Sequence, residues 1–415
     1  MNAHDSGSDD PRSAVVDRLD QARHAVRGIV HHTPVFTSSA LAEYCNGPVW
    51  LKAENLQRTG SFKLRGALSK LADLGPGAAR GVTAGSAGNH AQAIAYAARN
   101  AGVRCEIYVP AGASISKIEA CRSYGATVVR GGDSLDDAVA AARERSESAG
   151  LAFCHPYDDP AVVAGQATLG TELAADLPDL QRVIIPLGGG GLATGVALAL
   201  KRWRPDITVI GVQTDVCAPY ARGDAPNGAV VTLADGIAVK RPGLVTRPLV
   251  EELLDDLVTV DEDAIADAMV LLLERAKLYV EGAGAVGVAA LMAQRVRRAR
   301  TGSTCVVLSG GNVDLGVLPG LIRRHETRSG RRLVVFARIP DRPGGLAQLL
   351  QVFASGEANL IEVEHLREGV DLHVRETGVR VALEVRDRAH AADLVGAARA
   401  AGYAVEPIDT LRAGG

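Results

Sequence analysis

Lys63 is the residue whose surroundings point most directly to chemistry. It lies in the sequence GSFKLRGA, where an aromatic ring precedes the lysine and glycines flank a turn ahead of a predicted helix. The chain has seven lysines and 38 arginines. A lysine at this position therefore suggests a role that arginine could not perform. A lysine amine withdrawn from water loses proton affinity and can react with an aldehyde. A surface lysine at a helix start is the alternative interpretation.

Three further turns place small or polar residues after predicted strands. Segment 86–90 (SAGNH) follows VTAG, and its free amides could bind an anion, although a glycine N-cap would also serve an ordinary helix. Four glycines at 188–191 follow RVIIPL and let the backbone wrap closely around a phosphate. Segment 309–312 (SGGN) follows CVVL, at the strand end where open α/β sheets bind ligands.

The four glycines do not form a dinucleotide-binding motif. They are not spaced as GxGxxG, and Asp206 precedes the next predicted strand instead of following it as an acidic ribose contact would. A nicotinamide-dependent dehydrogenase is therefore disfavoured.

Short β-branched runs alternate with helical patterns from Val82 to about residue 323, which predicts a parallel α/β sheet. The polar stretch RRHETRSGRR at 323–332 breaks the alternation, and we predict a linker over 326–332. The remaining elements follow the order βαββαβ, which predicts a ferredoxin-like α+β domain over 333–415.

Composition limits the partners and the location. A net charge of -3 offers no basic surface for nucleic acid, and no apolar run is long enough for a membrane span. The polar residues 1–12 predict a disordered tail rather than a signal peptide, so we expect a cytoplasmic protein. Six dispersed cysteines without a CxxC pair predict reduced, buried thiols and no zinc site.

The ordered motifs resemble those of pyridoxal-phosphate (PLP) enzymes of the tryptophan-synthase-β type, fold type II, and most closely the threonine/serine dehydratases. The resemblance extends from about residue 33 to 323. It implies a two-lobed α/β catalytic domain over 13–325 with a small lobe inserted at about 64–165. The motifs that carry it are SFKLRGA, SAGNHAQ, the 155–166 segment HPYDDP…GQ, GGGGL, GVQ, ADGIAV, EGAG and SGGN.

The resemblance implies roles for individual residues. Lys63 corresponds to the Schiff-base lysine that also removes the substrate α-proton, and Phe62 lies beside the cofactor ring. Asn89 would bind the phenolic oxygen and Ser309 the pyridine nitrogen, where a neutral hydroxyl favours elimination. The phosphate contacts would be Gly188, Gly189, Gly190, Gly191 and Leu192, and the substrate contacts Ser86, Ala87, Asn89 and His90.

The segment from about residue 331 resembles an ACT domain through IPDRPGGL at 339–346 and through Asn359 with His365. This resemblance implies that the segment binds an amino-acid effector; the alternative is that it only dimerises the enzyme. The expected effector contacts are Gly344, Gly345, Leu346, Asn359 and Leu360.

The resemblance implies a threonine ammonia-lyase of isoleucine biosynthesis, a homodimer or homotetramer regulated by an amino acid. Alternatives are a serine dehydratase, a serine racemase, a hydroxyaspartate ammonia-lyase and a non-catalytic amino-acid-binding regulator. Ala87 stands where racemases of this fold have a second serine, which argues against racemisation. We predict no metal site, since Asp215 is the one match to the acidic ligands of metal-binding racemases near Gln213.

Overall fold

The structure, a computed structural model, describes residues 10–45, 47–223, 226, 228–297, 302–367 and 372–408. The chain divides into two compact units, 1–314 and 315–415. Of the expected tail, residues 1–9 lie outside the described part, whereas Asp10 already caps the first helix. Its carboxylate accepts hydrogen bonds from the amides of Arg12 and Ser13 at 3.2 and 3.1 Å. Residues 10–12 therefore do not belong to a disordered tail, because aspartate and proline favour a helix start here.

The first unit contains two separate sheets within its described residues. Their strands are β1 (Val35–Thr37), β2 (Val49–Ala53), β3 (Val82–Gly85), β4 (Cys105–Val109), β5 (Thr127–Arg130), β6 (Ala152–Phe153), β7 (Leu180–Pro186), β8 (Thr208–Thr214), β9 (Asp256–Val260) and β10 (Ser303–Leu308). The larger sheet has the order β1-β2-β10-β7-β8-β9 and the smaller one β5-β4-β3-β6. All pairs are parallel except β1 with β2. The predicted parallel arrangement is confirmed.

Helices surround both sheets. In the first unit they are α1 (Pro11–Val16), α2 (Leu19–Val26), α3 (Ser39–Ala42), α4 (Lys63–Leu74), α5 (Asn89–Ala101), α6 (Ile115–Ser123), α7 (Leu135–Ala149), α8 (Pro160–Asp176), α9 (Gly191–Trp203), α10 (Pro219–Arg222), α11 (Thr246–Leu253), α12 (Glu262–Leu271) and α13 (Gly282–Met292). Single turns of 3₁₀ helix occur at Glu54–Leu56, Gly75–Ala78 and Asp235–Ile237, and a π-helical turn at Leu272–Ala276. No described helix is long and apolar enough to span a bilayer. All six cysteines are buried, reduced thiols, as predicted.

A buried ion cluster holds the first turn of α4. The Arg65 side chain is fully buried and donates to both carboxylate oxygens of Glu54, at 2.9 and 2.8 Å. It also donates to both oxygens of Glu172, at 2.6 and 3.0 Å. The ammonium of Lys52, itself buried, contacts Glu172 at 2.8 Å and Asp176 at 3.0 Å. Such paired charges fix geometry, since removing one partner leaves another buried and uncompensated.

The second unit has the predicted βαββαβ order. After α14 (Leu318–Arg328) come β11 (Arg332–Pro340), α15 (Gly345–Ser355), β12 (Asn359–Leu366), β13 (Glu376–Glu384), α16 (Arg388–Ala400) and β14 (Ala404–Pro407). The sheet is antiparallel throughout, in the order β12-β13-β11-β14. Alternate residues of β11 and β13 join a core that includes Val335, Phe353, Val381 and Leu394.

The predicted linker at 326–332 is mostly regular structure. Helix α14 continues to Arg328 and β11 begins at Arg332, so three residues connect them. The arginines are good helix formers, Pro319 stands in the first turn, and Leu321 is buried. The prediction was wrong because it weighed polarity and ignored helix propensity.

Candidate active site

Lys63 is the first residue of α4, and its side chain is half-buried. Its Nζ donates to the carbonyl oxygen of Pro156 at 2.8 Å and lies 5.2 Å from the centre of the Phe62 ring. The Phe62 amide donates to the carbonyl oxygen of Ser309 at 3.1 Å. This bond ties the turn of Lys63 to the end of β10, so the structure brings Phe62, Lys63 and Ser309 together.

The electrostatics of the site shift two titratable groups toward neutral pH. Burial lowers the pKa of the Lys63 amine to about 8, although the charge of Glu281 opposes this change. Burial raises the pKa of Glu281 to about 7; the charge of Asp235 adds to the rise, and a hydrogen bond from Asn89 opposes it. Groups with pKa values near the working pH can both accept and return protons.

Asn89, the first residue of α5, lies in a row of hydrogen bonds. Its Nδ2 donates to Oε1 of Glu281 at 2.7 Å, and its Oδ1 accepts from Nδ2 of Asn312 at 2.6 Å. The amide nitrogen of Asn89 carries two hydrogens, so one is left for the oxygen of a ligand. A Cβ at Gly310 would lie 2.4 Å from Oε1 of Glu281, so the row requires glycine at that position.

The turn between β3 and α5 contains the predicted substrate contacts. The Ser86 hydroxyl accepts from the Gly88 amide at 3.2 Å, and Ser86 and Ala87 are half-buried. His90 is buried, and its Nε2 donates to the carbonyl oxygen of Cys154 at 2.9 Å. Burial, together with the Lys63 charge, lowers the pKa of His90 to about 3. The neutral imidazole of His90 therefore uses its N–H for the hydrogen bond to Cys154. An anion at this turn would instead be bound by the backbone amides of α5.

The glycine loop at 188–191 links β7 to α9 and is buried. Gly190 has φ = +96°, a conformation that favours glycine. A Cβ at Gly189 would lie 2.2 Å from the ring of Tyr157, so no side chain fits there. The first amides of α9, including that of Leu192, have no acceptor within the helix. A buried helix start of this kind suits a phosphate group.

These groups fit PLP. Lys63 offers an amine of lowered pKa for the aldehyde, and Asn89 an amide hydrogen for the phenolic oxygen. The hydroxyl of Ser309, a residue 3% exposed at the end of β10, suits the pyridine nitrogen. The glycine loop offers backbone amides to the phosphate, and the clash of any Cβ at Gly189 shows how closely it is packed.

Sequence reasoning gave no individual role to Glu281, Asn312 or Pro156. Glu281 precedes the buried apolar helix α13, and a carboxylate in such a place must find a partner, which is a usable signal. Asn312 ends the SGGN motif, yet its contact with Asn89 joins residues 223 positions apart. Pro156 contributes a backbone oxygen, and its residue type carries no signal for that role.

The predicted effector residues occupy two places in the second unit. Gly344 caps α15 with φ = +83°, and Leu346 helps to line a cavity of about 340 Å³ together with His365. Asn359 begins β12 and donates to Glu384 at 3.0 Å. The first group lies at the start of α15 and the second follows its end, so most of this eleven-residue helix, roughly 16 Å long, lies between them. One copy of the unit therefore does not bring 344–346 and 359–360 into one site.

Comparisons with known proteins agree with this geometry. The family described as "Pyridoxal-phosphate dependent enzyme" matches residues 26–310. L-threonine ammonia-lyase of Thermotoga maritima is 41% identical over 399 residues, covering 95% of this chain and 99% of the relative. The catabolic L-threonine dehydratase TdcB of Escherichia coli is 42% identical over 307 residues, covering 72% of this chain and 93% of the relative.

Solved structures show the same catalytic fold. Maize serine racemase superposes with a TM-score of 0.70 at 32% identity, covering 75% of this chain and 98% of that one. The processed form of threonine deaminase isoform 2 from Solanum lycopersicum superposes with a TM-score of 0.69 at 32% identity, covering 75% and 88%. The expected fold type is confirmed for this part of the chain. The chain belongs to the family of pyridoxal-phosphate-dependent enzymes.

Proposed function

We propose that this protein is an L-threonine ammonia-lyase, which converts L-threonine to 2-oxobutanoate and ammonia and also acts on L-serine. The observation that carries the proposal is the Lys63 amine, whose pKa burial lowers to about 8 against the charge of Glu281, the acceptor of the Asn89 hydrogen bond. The same amine donates to Pro156, and the ring of the next residue, Tyr157, lies against Gly189 of the loop that fits the cofactor phosphate. Relatives named L-threonine ammonia-lyase in Thermotoga maritima and Geobacter sulfurreducens match 95% and 94% of the chain at 41% identity.

The bound cofactor supplies an electron sink that stabilises negative charge at the substrate Cα. Lys63 is the base in this proposal: its Nζ takes the α-proton, and its lowered pKa keeps much of the amine neutral near pH 8. Amides at the start of α5 bind the substrate carboxylate and so orient the Cα–H bond toward Lys63. The α-proton and the β-hydroxyl leave together as water, and the product enamine takes up water to yield the oxo acid and ammonia.

Asn89 and Glu281 set the proton distribution around this base. Asn89 donates to Glu281 at 2.7 Å, and the carboxylate charge of Glu281 raises the proton affinity of Lys63. Ser309 would offer a neutral hydroxyl to the pyridine nitrogen of the cofactor. Unlike a carboxylate, a hydroxyl does not keep that nitrogen protonated. These features favour elimination over a long-lived carbanion.

An oxo-acid assay with three substrates tests the proposal. L-threonine should give 2-oxobutanoate with the highest kcat/KM, L-serine should give pyruvate, and 3-hydroxyaspartate should give little oxaloacetate. The matched control is Lys63→Ala. A higher kcat/KM for serine or hydroxyaspartate would identify one of the alternative ammonia-lyases, and no oxo acid from any of the three would favour a non-catalytic regulator.

The second candidate is a serine racemase, which the likeness to the maize enzyme favours. Ala87 lacks the hydroxyl that a racemase of this fold places after Ser86 to protonate the opposite face of the substrate. We therefore expect negligible racemisation. Chiral analysis of serine recovered after partial conversion decides the point, because D-serine in amounts comparable to pyruvate would contradict it.

We further propose that the second unit is an ACT domain that binds an amino-acid effector, with isoleucine as the first candidate. Because residues 344–346 and 359–360 are far apart in one copy, the effector would lie between two copies in a homodimer or homotetramer. Isoleucine should shift the threonine saturation curve of the full chain: the threonine concentration that gives half-maximal rate should change by a factor in the range of roughly 5 to 150. The shift should vanish in Gly344→Val, since φ = +83° strains a β-branched residue. Unchanged regulation in that variant would place the effector elsewhere.

A further inference from the structure

The segment 155–158 (HPYD) connects parts of the active site that are distant in sequence. The carbonyl of Pro156 accepts the bond from Lys63, and the ring of Tyr157 lies against Gly189. His155 shapes the turn, because its Nδ1 accepts from the amides of Tyr157 and Asp158 at 3.3 and 2.8 Å. The segment thus contacts the lysine and the glycine loop at once.

Asp158 extends these contacts to α11. Its Oδ2 accepts from the Leu244 amide at 2.8 Å, and its Oδ1 accepts from the amides of Val245 and Thr246 at 2.8 and 3.1 Å. A Cβ at Gly243 would lie 2.2 Å from the same carboxylate, which shows how tightly the chain wraps it. A carboxylate that accepts three amides at a helix start is held by charge-assisted bonds and by the helix dipole.

Thr246 connects the start of α11 to the glycine loop. It is fully buried, and its hydroxyl donates to the Gly189 carbonyl at 2.7 Å; Tyr220 donates to the same oxygen at 3.3 Å. In a trans peptide the C=O of one residue and the N–H of the next point in opposite directions. Fixing the Gly189 carbonyl toward α11 therefore fixes the Gly190 amide away from α11.

We propose that Asp158 and Thr246 are positioning residues for the phosphate group of PLP. Asp158 holds the amides of residues 244–246, Thr246 holds the Gly189 carbonyl, and the Gly190 amide is thereby oriented before the phosphate arrives. Such preorganisation increases affinity because the loop has less freedom to lose on binding. The inference depends on the cofactor of the family and not on which amino acid is the substrate.

The test compares PLP with pyridoxal, which has the same aldehyde and ring but no phosphate. Full-length protein is freed of cofactor, and the dissociation constants of both compounds are measured from visible absorbance. Asp158→Asn should raise the constant for PLP about tenfold or more, and Thr246→Val about fivefold, since each loses bonds worth roughly that factor. Pyridoxal binding should change less than about twofold, because loss of phosphate contacts alone predicts no effect on it. Thr246→Ser keeps the hydroxyl and should restore the preference for PLP.

Asp159→Asn is the matched control. Asp159 caps α8 through the Ala161 amide at 2.9 Å and pairs with Lys70 at 2.6 Å, so its loss should lower stability without changing the ratio of PLP to pyridoxal affinity. Equal weakening of PLP and pyridoxal in Thr246→Val would overturn the proposal, as would unchanged PLP binding. Thr246→Val and Thr246→Ser decide the matter alone if Asp158→Asn does not fold.

Discussion

In protein freed of cofactor, Lys63 should titrate near pH 8, far below an ordinary lysine. Burial removes water from the ammonium and lowers its pKa, while the carboxylate of Glu281 partly restores it. Replacement of Glu281 by glutamine removes that carboxylate and keeps the side-chain size. The pKa of Lys63 should therefore fall further in Glu281→Gln.

The neutral amine is the form that reacts, so the lowered pKa of Lys63 can be measured through its reactivity at different pH values. At pH 8 an amine with a pKa of about 8 is half neutral, whereas one at the ordinary value of about 10.4 is neutral in roughly one molecule in 250. The neutral fraction of Lys63 at pH 8 should thus be roughly a hundred times that of an unshifted lysine. Half-burial of the side chain reduces the absolute rate but not the pH at which the rate is half-maximal.

Competitive acetylation measures this titration. Trace labelling across a range of pH, followed by peptide mass spectrometry, gives the pH profile of each lysine, with the exposed Lys277 as an internal standard. A midpoint for Lys63 above about pH 10, the ordinary range, would refute the burial argument. A higher midpoint in Glu281→Gln than in the natural protein would show that the sign assigned to Glu281 is wrong.

Four further results are expected. Lys63→Ala and Lys63→Arg should each retain less than about a tenth of the dehydratase turnover with an unchanged circular dichroism spectrum, because neither variant can form the imine or serve as the base. Arg65→Met should lower the free energy of unfolding by about 3–5 kcal/mol, since it removes the cation that forms the salt bridge with the buried carboxylate of Glu54. Burial raises the pKa of Glu54, but the opposing effects, chiefly the charge and hydrogen bonds of Arg65, outweigh burial and hold this pKa below its usual value. In the natural protein the stability that Glu54 contributes is therefore present above about pH 4.3 and is lost as the pH falls through the folded-state pKa. Denaturant titrations at several pH values test this loss and the effect of Arg65→Met. Gly189→Ala should lose most of its PLP absorbance, because the new Cβ would lie 2.2 Å from the Tyr157 ring.

Local sequence patterns predicted the second unit well. The predicted βαββαβ order agrees with the structure, and β11 begins at Arg332, one residue before the predicted start of the domain. Strands there are bounded by turn residues and their apolar positions alternate, so the pattern and the packing agree. Helix α14 was missed because its few apolar residues, such as Leu321, are hidden among arginines.

The residues of the active site also differ in whether local sequence patterns could predict them. Residues that work through local backbone geometry, such as the glycines at 188–191 and Asn89 at a helix start, could be found from strand-to-helix turns. Glu281 meets Asn89 across 192 positions of sequence, and Asp158 meets Thr246 across 88. No local pattern encodes such a pairing, since it depends on how the elements pack.

The first turn of α4 explains why a lysine is kept in an arginine-rich chain. Lys63 and Arg65 lie two residues apart in the same turn, yet their pKa values move in opposite directions. Arg65 has two carboxylates within hydrogen-bonding distance, Glu54 and Glu172, and these more than offset burial and raise its pKa. The Lys63 amine instead donates a hydrogen bond to a neutral carbonyl, so the effect of burial is larger than that of the nearby charge and its pKa falls. Arginine cannot be deprotonated in a protein, so it suits the buried anchor, whereas a group that must lose its proton has to be lysine.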